Sequence, residues 1–243
     1  MVLLLLLLLP PASAGPPEPG ERLTWSARWM GARAGEVWAE VGVDGDHTVV
    51  TGGGRSADWL ASLYPVEDRL RSVSAAGLGS VAFTGTYREG RFHEDLSVTF
   101  APPWATVDRR NEVGDKCEAS ATVRCEAGWR HTVDQVATVP LAEDPLSAIY
   151  RVRASPPAEG ERLEFPVFDG RRIQTLRVTG LGDNDVDGRP ARRVRVENVG
   201  TKSKMSVLLD LSADPDAIPL RVTLPTGAGP VTLLLEGRVD PSP

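Results

Sequence analysis

GLGDNDVDGRPARRVRV, from Gly180 to Val196, sets acidic side chains at Asp183, Asp185 and Asp187 and a glycine at Gly188. Oxygen ligands at the first, third and fifth positions and a glycine at the sixth are the opening half of a calcium loop. The match then fails. The twelfth position, which needs a bidentate glutamate, is Val194, and Arg189, Arg192 and Arg193 set positive charge against any cation. The flanks alternate like strands instead of repeating like helices. Asp187-Gly188 fits a hairpin corner better, because aspartate and glycine both tolerate positive φ. Related corners recur in VDGDH (43–47), YREGR (87–91) and FDGRR (168–172), each between two alternating runs. The stretch is therefore one corner of a β meander, and no metal is assigned to it.

Working outward, the period stays at two. RLTWSARW puts Leu23, Trp25, Ala27 and Trp29 on one face, and GEVWAEVGV does the same for Val37, Ala39, Val41 and Val43. FHEDLSVTF, RLEFPVF, RIQTLRVTG, ARRVRVENV, KMSVLLDL, PLRVTL and VTLLLEGRV repeat the style. Such alternation marks half-buried antiparallel strands. About twelve strands with regular turns predict an all-β, mainly antiparallel domain.

Two segments break the pattern. SADWLASLYPV spaces Trp59, Leu60, Leu63 and Tyr64 as on a helix about two turns long, with Ser56 or Asp58 as its cap and Pro65 as its stop. EDPLSAIYRVR has Asp144 at an N-cap and Pro145 at the first helical position, with Leu146, Ile149 and Tyr150 on one face. The expected architecture is a strongly curved sheet, an open or half β-barrel, whose open side the two short helices cover. Gly52 to Gly54 are expected to end a strand before the first helix.

The 243-residue chain has a net charge of −6 with both signs interspersed, which does not favour a nucleic-acid partner. Leu3 to Leu9 form a short apolar run before Ala12-Ser13-Ala14, the pattern of a cleaved secretory leader over residues 1–14. Seven leucines are too few for a transmembrane span, which needs about 20 residues. No cysteine follows the leucines, so no lipid anchor is indicated. Residues 15–20 follow as a flexible tail, then a single domain over 21–239. A periplasmic or otherwise exported location is the expectation. In that setting Cys117 and Cys125 are expected to form a disulfide, with an effect of about 2–3 kcal/mol.

Catalytic patterns are lacking. His47, His93 and His131 lie in three separate segments, without metal-binding spacing. Ser147 lacks the glycines of a nucleophile elbow. Gly52 to Gly54 are not followed by the lysine of a phosphate loop. The pairs Glu67-Asp68, Glu94-Asp95 and Glu143-Asp144 are adjacent, so in a strand each pair points to opposite faces. No enzyme activity, cofactor or metal is expected. The aromatic and aliphatic residues are more informative. Trp59, Leu63, Tyr64, Ile149 and Tyr150 are candidates for lining an apolar cavity inside the curved sheet.

Five motifs in order carry a resemblance: ERLTWSARWMGARAGEVWAEV, SADWLASLYPVEDRLRS, YREGRFHEDLSVTF, DPLSAIYRVR and IPLRVTLPTGAGPVTLLLEG. From Glu21 to Val239 the chain resembles the DUF3108 family of exported bacterial proteins. The resemblance implies a periplasmic or outer-envelope β domain, similar to the half-barrels that carry lipoproteins, and brings no catalytic residues. The insert from Cys117 to Gly128 is not expected of that family. The expected function is a non-enzymatic envelope protein that binds a lipid or lipopeptide in the concavity. The alternative is an interaction or structural module of the envelope with a protein partner.

Overall fold

The computed structural model describes residues 18–75, 79–200 and 206–240. The leader expected at residues 1–14 and the start of the expected tail lie outside the described residues. In chain order the first half contains β1 (Arg22–Trp29), β2 (Ala32–Asp44), β3 (His47–Ser56), α1 (Asp58–Ala61), β4 (Glu67–Ser74), β5 (Ser80–Glu89), β6 (Phe92–Ala101) and β7 (Trp104–Glu112). After a 3₁₀ turn at Gly114–Lys116 come β8 (Val123–Glu126), β9 (Trp129–Ala137) and α2 (Pro145–Ala154). The second meander is β10 (Arg162–Phe168), β11 (Ile173–Val186), β12 (Arg189–Val199), β13 (Ser206–Ser212), β14 (Pro219–Leu224) and β15 (Val231–Val239).

All fifteen strands join one antiparallel sheet, ordered β10-β11-β12-β13-β14-β15-β1-β2-β3-β4-β5-β6-β7-β9-β8. The last strand pairs with the first, so the C-terminal meander continues directly into the N-terminal one. The sheet does not close into a barrel, and its edges are β10 and β8. All four glycine corners are hairpin turns. At the opening one, Asp187 (φ 55°) and Gly188 (φ 80°) join β11 to β12.

Alternation places the core. On β6, Glu94, Leu96, Val98 and Phe100 are buried while Ser97, Thr99 and Ala101 are exposed. What fills the concavity is α2. Leu146 and Tyr150 pack with Val41, Val50, Phe83, Val98, Val107 and Phe168. Ala148 and Val152 pack with Phe165, Val178, Val194, Leu209 and Leu211. Each pair is spaced i, i+4, so one helix serves two halves of the sheet from two stripes. Full burial of side chains of this size contributes about 1.5–3 kcal/mol each. Gly52 and Gly53 lie within β3 and do not end it. A Cβ on Gly53 would approach the Asp68 carbonyl oxygen to 2.5 Å and the Trp38 ring to 3.1 Å. The glycines let the indole lie against the strand.

Both ends of α2 are fixed. Asp144 makes a capping box: its carboxylate accepts from the amides of Leu146 (2.8 Å) and Ser147 (3.1 Å), and the Ser147 hydroxyl accepts from its own amide. Ser72 and Ser80 donate to its second oxygen at 2.5 and 2.7 Å, which ties the cap to β4 and β5. Burial pushes the Asp144 carboxyl up, against the pull of the two serines and the helix amides. At the other end Arg153 makes a bidentate pair with Glu21 (2.6 and 2.8 Å), both residues being buried. Its guanidinium also lies over the Tyr150 ring and donates to the Asp216 carbonyl. The short segment before α2 bridges the open seam. Glu143 exchanges backbone bonds with Pro166 and Phe168 on β10, and Ser80 on β5 donates to the Ala142 carbonyl.

Four local expectations are corrected. The helix α1 is one turn of four residues, not two turns, because Pro65 and the return to β4 stop it early. Its N-cap is Ala57 with no side-chain cap, since the Ser56 hydroxyl instead accepts from the Val66 amide. It buries no side chain, so the filling of the concavity falls to α2. Fifteen strands replace twelve, the charged segments β4 and β7 and the disulfide hairpin among them.

Arg153→Ala leaves Glu21 buried without its partner and should lower unfolding free energy by roughly 3–5 kcal/mol. In urea titrations the pair Glu21→Gln with Arg153→Met should lose less than Arg153→Ala alone. A loss below about 1 kcal/mol for the single variant would show that the pair does not anchor the helix.

Candidate functional site

Three connections meet at one end of neighbouring strands: the β1–β2 hairpin, the β3–β4 link that carries α1, and the β5–β6 hairpin. Hydrogen bonds join them. The Trp59 indole N–H donates to the Arg33 carbonyl (2.8 Å), Ala57 N–H to Ala34 (2.8 Å) and Gly90 N–H to Pro65 (2.7 Å). The Tyr64 ring lies on Gly90, where a Cβ would come within 2.7 Å of it. This rim presents five large apolar side chains to solvent: Met30 (81% exposed), Leu63 (78%), Tyr64 (48%), Trp59 (47%) and Phe92 (43%).

Beside the rim lies a groove of about 890 Å³. Ala61, Pro65, Val66 and Gly90 form its α1 end, and Trp38, Arg22, Arg55, Arg69, Arg88 and His93 line it further on with Glu36, Glu67 and Asp68. Its arginines are partly neutralised: Arg55 faces Glu36 (3.6 Å), Arg69 faces Glu67 (2.9 Å) and Arg88 faces Asp95 (2.6 Å). The pairs of Arg55 and Arg69 are exposed, worth little stability and available to exchange partners, whereas Arg88 also donates to the Tyr87 and Glu94 carbonyls and is held in place.

Behind the rim, on the inner face, sits a polar cluster. Glu94 accepts from Asn111 (2.5 Å) and lies 3.2 Å from the Arg109 Nε, while Arg109 also donates to the Gly170 carbonyl (2.7 Å). These bonds tie β6, β7 and the β10–β11 turn together. Tyr87 is pushed up to about 12 by burial and then by the charges of Glu94, Asp68 and Glu89, so its hydroxyl stays protonated at any physiological pH. Glu89 is pushed above the usual carboxylate range, first by burial and then by the neighbouring Asp68.

No trio of His, Cys, Asp or Glu with metal-binding geometry occurs among the described residues. His93 pairs with Glu112, and His131 with Asp108 at 2.8 Å. Ser147 is engaged in the capping box. Asp183, Asn184 and Asp185 run along β11 instead of curling into a loop, and Asp185 accepts from the Gly188 amide. Arg193 has a different role from repelling a cation: with Arg221 it holds the buried Asp210, each at 2.7 Å.

A family model described as a protein of unknown function, DUF3108, matches residues 23–236. The chain belongs to the DUF3108 family. No curated protein matches this DUF3108 chain. Among solved structures it is similar to the crystal structure of a β-barrel-like protein of the domain of unknown function DUF1849 from Brucella abortus, with a TM-score of 0.57 at 10% identity. The match covers 90% of this chain and 96% of that one, so the likeness extends over the whole architecture. No helix among the described residues is long and apolar enough to cross a membrane. Cys117 and Cys125 are disulfide-bonded, with Cα atoms 5.8 Å apart.

The candidate ligand residues of the DUF3108 domain separate into two groups. Trp59, Leu63 and Tyr64 stand together on the rim. Tyr150 belongs to the buried core, and Ile149, 40% exposed, lies on the outward side of α2. The helix α2 is held at Ser72 and Glu21, the far ends of β4 and β1 from α1. Met30, Phe92 and the groove arginines escaped the sequence reading. The available signal was the common end of successive hairpins, which collects the residues at their tips.

For Glu89 the sign follows from its raised folded-state pKa. The protonated form is favoured in the fold, so its stabilising contribution is present below the unfolded value, about 4.3, and is lost as pH rises through the folded one. Glu89→Gln should therefore raise the melting midpoint at pH 7 and make little difference at pH 4. Equal midpoints for the two proteins at pH 7 would contradict the assignment.

Proposed function

We propose that this DUF3108 protein is a non-catalytic, exported binding protein of the bacterial envelope that holds a lipid or lipopeptide at the α1 rim and its groove. The observation that carries the reading is the exposure of Met30, Trp59, Leu63, Tyr64 and Phe92 together beside the 890 Å³ groove. A contiguous exposed apolar patch bordered by polar residues marks a contact surface. The site differs from the one expected in the sequence, because α2 fills the concavity with the core of both half-sheets. An amphipathic ligand suits the rim: its acyl part covers the apolar collar, and an anionic head group meets the groove arginines by charge-assisted hydrogen bonds. The disulfide and the leucine-rich leader support export.

Native mass spectrometry of the protein purified from its own envelope should show an added lipid mass. Leu63→Asp should remove that mass and weaken a lysophospholipid titration, followed by Trp59 fluorescence, by at least about tenfold, since one fully buried side chain of this size is worth about 1.5–3 kcal/mol. Its melting midpoint should stay unchanged, as Leu63 is 78% exposed. A clean apo mass together with flat fluorescence would remove the lipid reading and favour a protein-docking module.

A further inference from the structure

The two edges of the sheet are finished differently. The edge at β10 is guarded: Glu143 occupies its backbone beside Pro166, and Arg162 and Glu164 are exposed along it. Charges, proline and a covering segment are the usual protection of an edge strand. The other edge is β8, which pairs only with Trp129 to Thr132 of β9. Residues 133–137 of β9 pair with β7 on one side and with no described residue on the other.

The direction of the backbone groups there follows from the hairpin. Ser120 and Val123 exchange both backbone hydrogen bonds, at 3.0 and 3.3 Å. The groups of Val123 therefore turn away from β9, and its pair with Thr132 is of the non-hydrogen-bonded kind. Thr132 then faces β7, and alternation turns the N–H and C=O of Val133, Gln135 and Ala137 outward. The bond from Thr138 N–H to the Pro103 carbonyl, on the β7 side, agrees with this phase. No proline, lysine or bulge protects the stretch Val-Asp-Gln-Val-Ala.

We infer that this open edge pairs with the same edge of a second copy of the chain, extending the sheet across a two-fold axis. The sequence is self-complementary in the antiparallel register centred on Gln135. Val133 faces the partner's Ala137, Asp134 faces the partner's Val136, and Gln135 faces the partner's Gln135. No like charges meet. On the outer face Trp104 neighbours Ala137 across the β7–β9 pair and is 52% exposed, and Val133 is 51% exposed. The small Ala137 leaves the Trp104 ring room to reach the partner's Val133, so pairing covers both exposed groups. The partner's Val133 would lie two strand spacings, roughly 10 Å, from Trp104, a gap the indole spans by lying over Ala137. A five-residue edge is small beside the roughly 1,200 Å² of a stable interface, so the association is weak and concentration-dependent.

Sedimentation velocity on the full chain, from micromolar to millimolar concentration, tests the inference. The wild type should move from monomer toward dimer, with a blue shift of tryptophan emission that Trp104→Phe diminishes. Gln135→Pro should stay monomeric throughout; its outward N–H bonds nothing on β7, so proline is tolerated there. Val133→Lys, which blocks the edge by charge and leaves the backbone unchanged, should behave alike and guards against misfolding of the first variant. A wild type that remains monomeric to millimolar concentration overturns the inference, as does undiminished dimerisation of Val133→Lys.

Discussion

A curved sheet that does not close has to be held in its curve, and here one ten-residue helix does it. Its two stripes, Leu146 with Tyr150 and Ala148 with Val152, draw the two half-sheets onto opposite sides of one rod. Packing alone would leave such a rod free to slide, because hydrophobic contact is non-directional. The polar ends remove that freedom. Asp144 is bonded to β4 and β5, and Arg153 to Glu21 ahead of β1 and to the β13–β14 turn at Asp216. Charges this deep are expensive to desolvate, and what they supply is position.

That choice restricts where function can lie. The inner face near α2 is packed against Leu146, Tyr150, Ala148 and Val152, and its polar cluster at Glu94, Arg109 and Asn111 ties β6, β7 and the β10–β11 turn together. Exposed apolar surface collects instead at the hairpin end around α1. The helix α2 is anchored at both ends, whereas α1 buries no side chain and adds nothing to the core.

The fold was legible because its signals are local. A period of two and a glycine corner at positive φ are each decided within a few residues, so the meander, its four corners and the cap at Asp144-Pro145 could be read directly. The resemblance to DUF3108 was carried by the same local motifs. What escaped depends on residues far apart in the chain. Ile149 and Tyr150 look equivalent in sequence, but their 100° separation on α2 sends Tyr150 into the core and leaves Ile149 outward. Gly52 and Gly53 look like the end of a strand, yet they exist for the close approach of Trp38 and α2. The cluster of Arg193, Asp210 and Arg221 spans three strands, and nothing within the stretch GRPARRV announces it.

The disulfide belongs to the same logic of edges. It joins Cys117 to Cys125 across an arm whose Ser120 takes both outward backbone groups of Val123. The bridge therefore finishes the short strand β8, whose four residues could not hold a covering segment by backbone pairing alone. Arg88 and Arg110, each 5.6 Å from the Trp129 ring, clamp the same hairpin to the outer face of β5 and β7. Every device at this corner protects the sheet as far as Thr132 and stops there. Val133 to Ala137 carry a single charge, Asp134, where β10 has Arg162, Glu164 and Pro166. The lighter protection, with Trp104 and Val133 left exposed beside it, is what sets this edge apart from the one at β10.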